Sequence, residues 1–352
     1  MQTIKVNTTK PYKIIIEKGL LSRTGEEVRQ VTAAKKAVII TDSNVAPLYA
    51  KTVAASLENC GFKTAVFVLP AGEENKNIAA IEGIYNFLAE NGCNRKDVLV
   101  ALGGGVTGDL AGFAAATYMR GIDLVQIPTT LLAQTDSSVG GKTGFNLTAG
   151  KNLAGAFWQP KLVIIDPNTL NTLTAALIAD GMAEVIKYGC IKNADFLQKL
   201  LALPSVIDAA EEIITECVQI KADIVAADEF ESGQRMLLNF GHTLGHAVEK
   251  LSDYSGCSHG QAVAIGMVQI ARLAENAGLT KPGTADLIEK LCLKFGLPIA
   301  SPYKMQELLG TIALDKKSDS KGINFVLLKK PGEAFVKNFS FKQTEDFLLN
   351  AE

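Results

Sequence analysis

The sequence predicts an α/β fold in two domains: a helix-covered, mostly parallel sheet over residues 1–172, followed by an all-helical domain over 173–352. Three observations predict it. Short β-branched runs alternate with amphipathic stretches through the first half, which is the pattern of strand–helix units. A glycine turn joins one of these runs to a helix start. From about 174 to 315 strand-like runs become scarce, and Ala, Leu, Glu and Lys accumulate at helical spacing. With 352 residues, 47% of them hydrophobic and 20% charged, the chain has apolar material for two cores.

The opening stretch MQTIKVNTTKPYKIII lacks the uninterrupted apolar segment of a signal peptide. No apolar run approaches the roughly 20 residues that span a bilayer, so neither export nor insertion is expected. Strands are predicted at 37–41 (AVIIT), 63–69 (KTAVFVL), 97–102 (DVLVAL), 122–127 (IDLVQI) and 162–166 (LVIID), with helices at 44–59 and 76–91 between them. Residues 134–160 hold five glycines and no sustained period. They read as an irregular binding loop and a candidate active-site wall. The domain boundary falls at 167–174. A last strand, INFVLL at 323–328, follows a polar turn and is free to return to the first domain.

Charge narrows the function classes. Lys and Arg number 35 against 37 Asp and Glu, so no global field attracts nucleic acid or an anionic membrane, and any anion site must be a local cluster. The six cysteines include no CxxC pair, which in a chain this long predicts a reduced, cytoplasmic setting.

Chemistry concentrates in three places. In VLVALGGGVTGDLAGF, Gly103, Gly105 and Gly108 satisfy G-x-G-x-x-G between a strand and a helix start, where bare backbone N–H groups and the helix dipole suit a diphosphate. The plan is Rossmann-like, although the fingerprint follows earlier strand–helix units and the next strand ends in Gln126-Ile127-Pro128 rather than an acid. Asp42, ending an earlier strand, is the candidate ribose partner, and equally a helix cap. All three histidines fall between 242 and 259. His242 and His246 share a helix face at a spacing of four, with the third metal ligand from His259 or from Glu184, a carboxylate in the otherwise largely apolar and small GMAEVIKYG; Cys257 ranks lower. Lys142 and Lys151 sit in glycine-flanked backbone, Lys187 one turn after Glu184, and Lys221 and Arg235 around AADEFESGQR. Each alone reads as a surface charge. Together they suggest a small polyanionic substrate, and with the other motifs a metal-assisted oxidation of a phosphorylated polyol.

The blocks PAGEENK, GGGVTGDLAGFAAATYMRG, IPTTLLAQTDSSVGGKTGFN, GKNLAGAFWQPK, GMAEVIKYG, LLNFGHTLGHAVE and HGQAVAIGM, in this order, resemble the 3-dehydroquinate synthase family along essentially the whole chain. The resemblance implies bound NAD, a divalent metal (zinc or cobalt) and a homodimer. The implied substrate is a phosphorylated sugar acid, 3-deoxy-D-arabino-heptulosonate 7-phosphate, turned over by transient oxidation, phosphate elimination, reduction and aldol closure. It makes Glu184, His242 and His259 the metal ligands and turns His246 towards the substrate phosphate, against the spacing argument. Lys142, Asn152, Lys187, Lys221, Arg235 and Asn239 match substrate positions. Arg120 matches a residue that reaches the neighbouring subunit's site, and one of Lys316 and Lys317 matches a phosphate contact. For NAD the matches are Asp42, Glu73, Lys76, Gly104, Gly105, Val106, Thr107, Gly108, Asp109, Thr129, Thr130, Asp136, Ser137, Lys142, Lys151, Thr169, Leu170, Asn171 and Thr172. Two departures, Gln261 where the family has Glu and Phe145 where it has Val, leave the ligand set intact; Gln261 removes a carboxylate close to His259. Another sugar phosphate cyclase, or a metal-dependent polyol dehydrogenase of the glycerol dehydrogenase type, is the alternative, and the cation cluster favours the phosphorylated substrate.

Overall fold

In the computed structural model, which describes residues 1–253, 256–316 and 322–349 (the backbone alone at 313–316), the chain opens with an antiparallel hairpin, β1 (Gln2–Val6) and β2 (Tyr12–Ile16). Helix α1 (Thr24–Val31) leads to β3 (Lys36–Asp42), α2 (Lys51–Asn59) to β4 (Lys63–Leu69), and α3 (Ile78–Glu90) to β5 (Val98–Gly103). Then come α4 (Gly105–Thr117), β6 (Asp123–Pro128), a second hairpin of β7 (Lys142–Leu147) and β8 (Gly150–Phe157), and β9 (Leu162–Ile165). Helices α5 (Ala175–Lys192), α6 (Ala194–Ala202), α7 (Ala210–Ala227), α8 (His242–Leu251), α9 (His259–Asn276), α10 (Thr284–Lys294) and α11 (Met305–Lys316) follow. A hairpin of β10 (Ile323–Lys330) and β11 (Glu333–Phe339) precedes α12 (Phe341–Leu349).

Seven strands form one sheet in the order β1-β2-β9-β6-β5-β3-β4, parallel throughout except for β1 with β2. Successive residues face opposite sides. Ile39 packs with Val100, Ile127 and Val53 on one side, while Val38 and Ile40 pack with Leu99, Ala101, Ile84 and Leu110 on the other. Both faces are covered, so these strands carry continuous apolar runs rather than an alternation. Each such side chain contributes about 1.5–3 kcal/mol on leaving water.

The chain forms two compact units, Met1–Leu173 with Val206–Phe230, and Thr174–Ser205 with Glu231–Glu352. Residues 206–230 thus join the first unit, whereas the sequence reading placed everything after 172 in the second. Long-range polar bonds tie the segment there: Glu229 accepts from the Thr9 backbone N–H at 2.8 Å and its hydroxyl at 3.0 Å, and from Gln159 at 3.0 Å.

Three expectations need correction. The stretch 134–160 is not irregular, because most of it is the β7–β8 hairpin. Gly144 pairs with Gly155, and a Cβ on either would strike the facing backbone, so glycine here permits close strand approach while erasing the period-two signal. The predicted strand at 323–328 extends to 330 and pairs with β11 rather than returning to the main sheet. Among its described residues the second unit is therefore helical apart from one hairpin. Among the described residues no helix is long and apolar enough to cross a membrane.

Candidate active site

In the first unit, β5 delivers the chain to a helix start with no side-chain cap. Gly104 takes the N-cap position of α4, and the first intrahelical bond is Gly108 N–H to the Gly104 carbonyl at 3.0 Å. The N–H groups before it have no partner inside the helix, which is the arrangement that binds phosphate. The Thr107 hydroxyl donates to Asp42 Oδ2 at 3.1 Å, and Asp42 Oδ1 accepts from the N–H groups of Asn44 and Val45 at 2.9 and 3.1 Å. Asp42 thus closes the turn that follows β3, without being the N-cap of the next helical segment, and braces the glycine turn.

Beside this turn, Lys76 is buried, its ammonium 2.6 Å from Asp109 Oδ2 and 2.6 Å from Asn152 Oδ1. Asn146 donates to Glu73 at 2.8 Å and accepts from the Asn152 N–H at 2.9 Å, holding Asn152 at φ 55°, in the left-handed region. Burial pushes the Asp109 carboxyl up, against the pull of Lys76. The network thus links Glu73, Lys76, Asp109 and Asn152, four positions the sequence proposed, through Asn146, which it missed; a polar residue in GKTGFN was the available signal. Lys221 on α7 is also buried and donates to the Asp136 carbonyl and Oδ1 at 2.7 and 2.9 Å.

Thr129, Thr169 and Leu170 are buried, Thr169 accepting from Gln134 at 2.8 Å; Thr172 bonds Tyr49 at 2.8 Å. Gly105, Val106, Gly108, Thr130, Ser137 and Lys151 are half-buried; Lys142 and Asn171 are exposed. Arg120 is exposed at φ 66°, next to Met119 at φ 50°. Two consecutive left-handed non-glycine residues are strained, and Arg95 fastens the turn by donating to the Met119 carbonyl at 3.1 and 2.9 Å.

The second unit gathers the histidines. Glu184 on α5 is 1% exposed, and its Oε1 lies 3.4 Å from His242 Nε2 and 3.2 Å from His259 Nε2. Lys187, one turn on and buried, forms an ion pair with Glu184 Oε2. The His242 Nδ1 faces the Phe240 carbonyl at 3.1 Å, and the His259 Nδ1 faces Glu249 Oε2 at 3.5 Å, so each ring has an acceptor behind it while Nε2 points to Glu184. Among the described residues two groups offer ligand atoms within 4.8 Å of one another: Glu184, His242 and His259, and His246, Glu249 and His259. Cys257 is in neither. The sequence reading missed Glu249, a buried acid three residues after His246, which that spacing could have flagged. Arg235 is 1% exposed, and Asn239 donates to Glu231 at 3.1 Å. Lys187, Lys221 and Arg235 are therefore not the surface charges that each suggests singly. Lys317 and the side chain of Lys316 lie outside the described residues.

Burial favours the neutral acid at Glu184, but Lys187 and the two imidazoles hold it well below the usual carboxylate range. Burial opposes a charged His259, yet Glu184 and Glu249 overcome that and push its pKa up to about 10. The sign follows from the raised value: in metal-free protein this contact stabilises fully below the ordinary pKa of 6.5 and is lost as pH rises through about 10. The Tm gap between chelator-treated wild type and H259Q should shrink across that window; a constant gap would refute it.

The 3-dehydroquinate synthase N-terminal family model matches residues 66–180, and the C-terminal one matches 181–318. The chain belongs to the 3-dehydroquinate synthase family. Membership makes it an enzyme of that type, a phosphate-eliminating cyclase of the lyase class. The 3-dehydroquinate synthase of Streptococcus mutans serotype c is 46% identical over 344 residues, 96% of this chain and 97% of the relative. Two solved sugar phosphate cyclases share the fold. A 2-deoxy-scyllo-inosose synthase complexed with carbaglucose-6-phosphate, NAD+ and Co2+ has TM-score 0.88 at 24% identity, covering 99% of this chain and 100% of that one. The 2-epi-5-epi-valiolone synthase of Streptomyces hygroscopicus subsp. jinggangensis 5008, with NAD+ and Zn2+ bound, has TM-score 0.87 at 27% identity, covering 97% and 96%.

Both departures from the dehydroquinate synthase pattern have structural accounts. Gln261 completes a capping box with Ser258 at the start of α9, accepting from the Ser258 N–H at 3.1 Å, a task glutamine performs as well as glutamate. Phe145 is 5% exposed and packs edge-on against Phe113 at 5.1 Å.

Proposed function

We propose that this chain converts 3-deoxy-D-arabino-heptulosonate 7-phosphate into 3-dehydroquinate and phosphate, with NAD on the first unit and a zinc or cobalt ion on the second. The observation that carries the reading is the Glu184–His242–His259 group, gathered around a buried carboxylate that is paired with Lys187. One carboxylate and two imidazoles are a ligand set of catalytic zinc sites, and the acceptors behind the rings fix their Nε2 atoms as the donors, so the residues fit the ion. When bound, the ion would stabilise an alkoxide on the sugar and NAD would take up and return a hydride.

The chain's own groups supply the rest. The uncapped start of α4 receives the NAD diphosphate, with Thr107 and Asp42 holding the turn in shape. Lys76 keeps Asp109 and Asn152 in place, so that Asn152 is presented to substrate by the β7–β8 hairpin together with Lys142. Lys187 and Arg235 meet the substrate's anionic groups as buried cations, and Asn239 orients a hydroxyl. His246, exposed on α8, serves the leaving phosphate. Lys221, held by Asp136, adds a further cation. Arg120, on its strained turn, reaches the site of a second copy in a homodimer. The six cysteines, none in a CxxC pair, suit a reducing cytoplasm. Incubation with the heptulosonate phosphate, NAD and cobalt should release phosphate without net accumulation of NADH. Steady NADH production without phosphate would replace this reading by a polyol dehydrogenase.

A further inference from the structure

We propose that Asp180 is a positioning residue for the metal centre: its carboxylate grips the residues on both sides of His259, the Ser258 hydroxyl and the Gly260 backbone N–H, and sets the register of α9 against α5. The proposal rests on the metal reading above. Asp180 precedes Glu184 by four residues on α5, which puts the two on one face of that helix. His259 is the first residue of α9. Its two neighbours donate to the same oxygen of Asp180, the Ser258 hydroxyl at 2.5 Å and the Gly260 N–H at 2.7 Å. A Cβ at Gly260 would run into the Asp180 backbone carbonyl, so the two helices approach as closely as glycine alone permits. One turn on, Glu184 Oε1 then stands 3.2 Å from His259 Nε2.

Capping alone does not account for this contact. The start of α9 already has its own box, Ser258 with Gln261, which satisfies the Ser258 and Gln261 N–H groups without Asp180. The added carboxylate fixes where along α5 the helix begins, and that position decides whether His259 meets Glu184. Glu249 orients the ring; Asp180 sets the place of its backbone.

Metal-free wild type, D180A, D180N and H242A are titrated with Co2+ and followed by the visible spectrum of the bound ion. D180A is expected to weaken cobalt about tenfold and to shift the spectrum, as loss of an outer partner of a metal ligand does. D180N keeps an oxygen that accepts from the Gly260 N–H and should recover most of the affinity. Should D180A fail to fold, S258A is read against Q261A, which opens the capping box but leaves the Ser258 hydroxyl on Asp180; a loss of about threefold beyond that of Q261A is expected, the worth of one hydrogen bond. Cobalt affinity within twofold of wild type and a superimposable spectrum in D180A, or within twofold of Q261A in S258A if that variant takes its place, would overturn the proposal even if the melting temperature fell. Wild type and H242A that both ignore cobalt would instead defeat the metal reading and this inference with it.

Discussion

Glu184→Gln should lower kcat by about three orders of magnitude, roughly 4 kcal/mol at the transition state, and release the metal. The side chain keeps its volume, so the effect isolates the charge. That charge faces two imidazoles at 3.4 and 3.2 Å and pairs with the ammonium of Lys187, and the carboxylate and the ammonium are themselves buried where water cannot replace a lost partner. A neutral amide gives a weaker ligand and leaves Lys187 buried without its counter-ion, which costs about 3–5 kcal/mol when a buried pair is broken one-sidedly. Metal-free E184Q is therefore expected to melt below metal-free wild type. Elemental analysis and a phosphate-release assay on the same preparation check it. Stoichiometric metal with kcat within tenfold of wild type would sink the assignment of Glu184 as a ligand.

Much of this site could be read from residue scarcity. With three histidines in the chain, their clustering was itself a signal, and Glu184 stood out as the acid of the largely apolar block GMAEVIKYG. The main sheet was legible for a related reason: strands covered on both faces carry runs such as LVALG that leave little freedom in interpretation. What stayed hidden depends on partners distant in sequence. Nothing in AEEIITECVQIKADIVAA says which unit α7 joins, because the bonds of Glu229 and Lys221 lie 220 and 85 residues away. The burial of Lys187, Lys221 and Arg235 is likewise invisible locally, since a lysine on a helix is ordinarily a solvated charge. The spacing of His242 and His246 predicted a shared ion, whereas the ring that joins His242 around Glu184 comes from the start of another helix. Helical spacing reports which residues share a face, and it is silent on what that face meets.

The second large effect concerns the glycine turn. Gly103→Ala is expected to weaken NAD by about a hundredfold, near 2.7 kcal/mol, while leaving the cobalt affinity of the second unit unchanged. A Cβ at 103 would lie 2.6 Å from Thr107 Oγ1 and 2.7 Å from Thr107 Cβ, closer than packed atoms allow. Thr107 cannot turn aside freely, because its hydroxyl is held by Asp42 and its backbone forms the first turn of α4. The methyl group therefore moves the helix start itself, and with it the N–H groups on which the diphosphate would rest. Overpacking of this kind also lowers stability by about 1–3 kcal/mol, visible as a drop of a few degrees in Tm. Calorimetric titration of NAD into both proteins, with cobalt titrated in parallel, separates a local lesion from general unfolding. NAD affinity within threefold of wild type would mean that the uncapped end of α4 is not where the dinucleotide's phosphates sit.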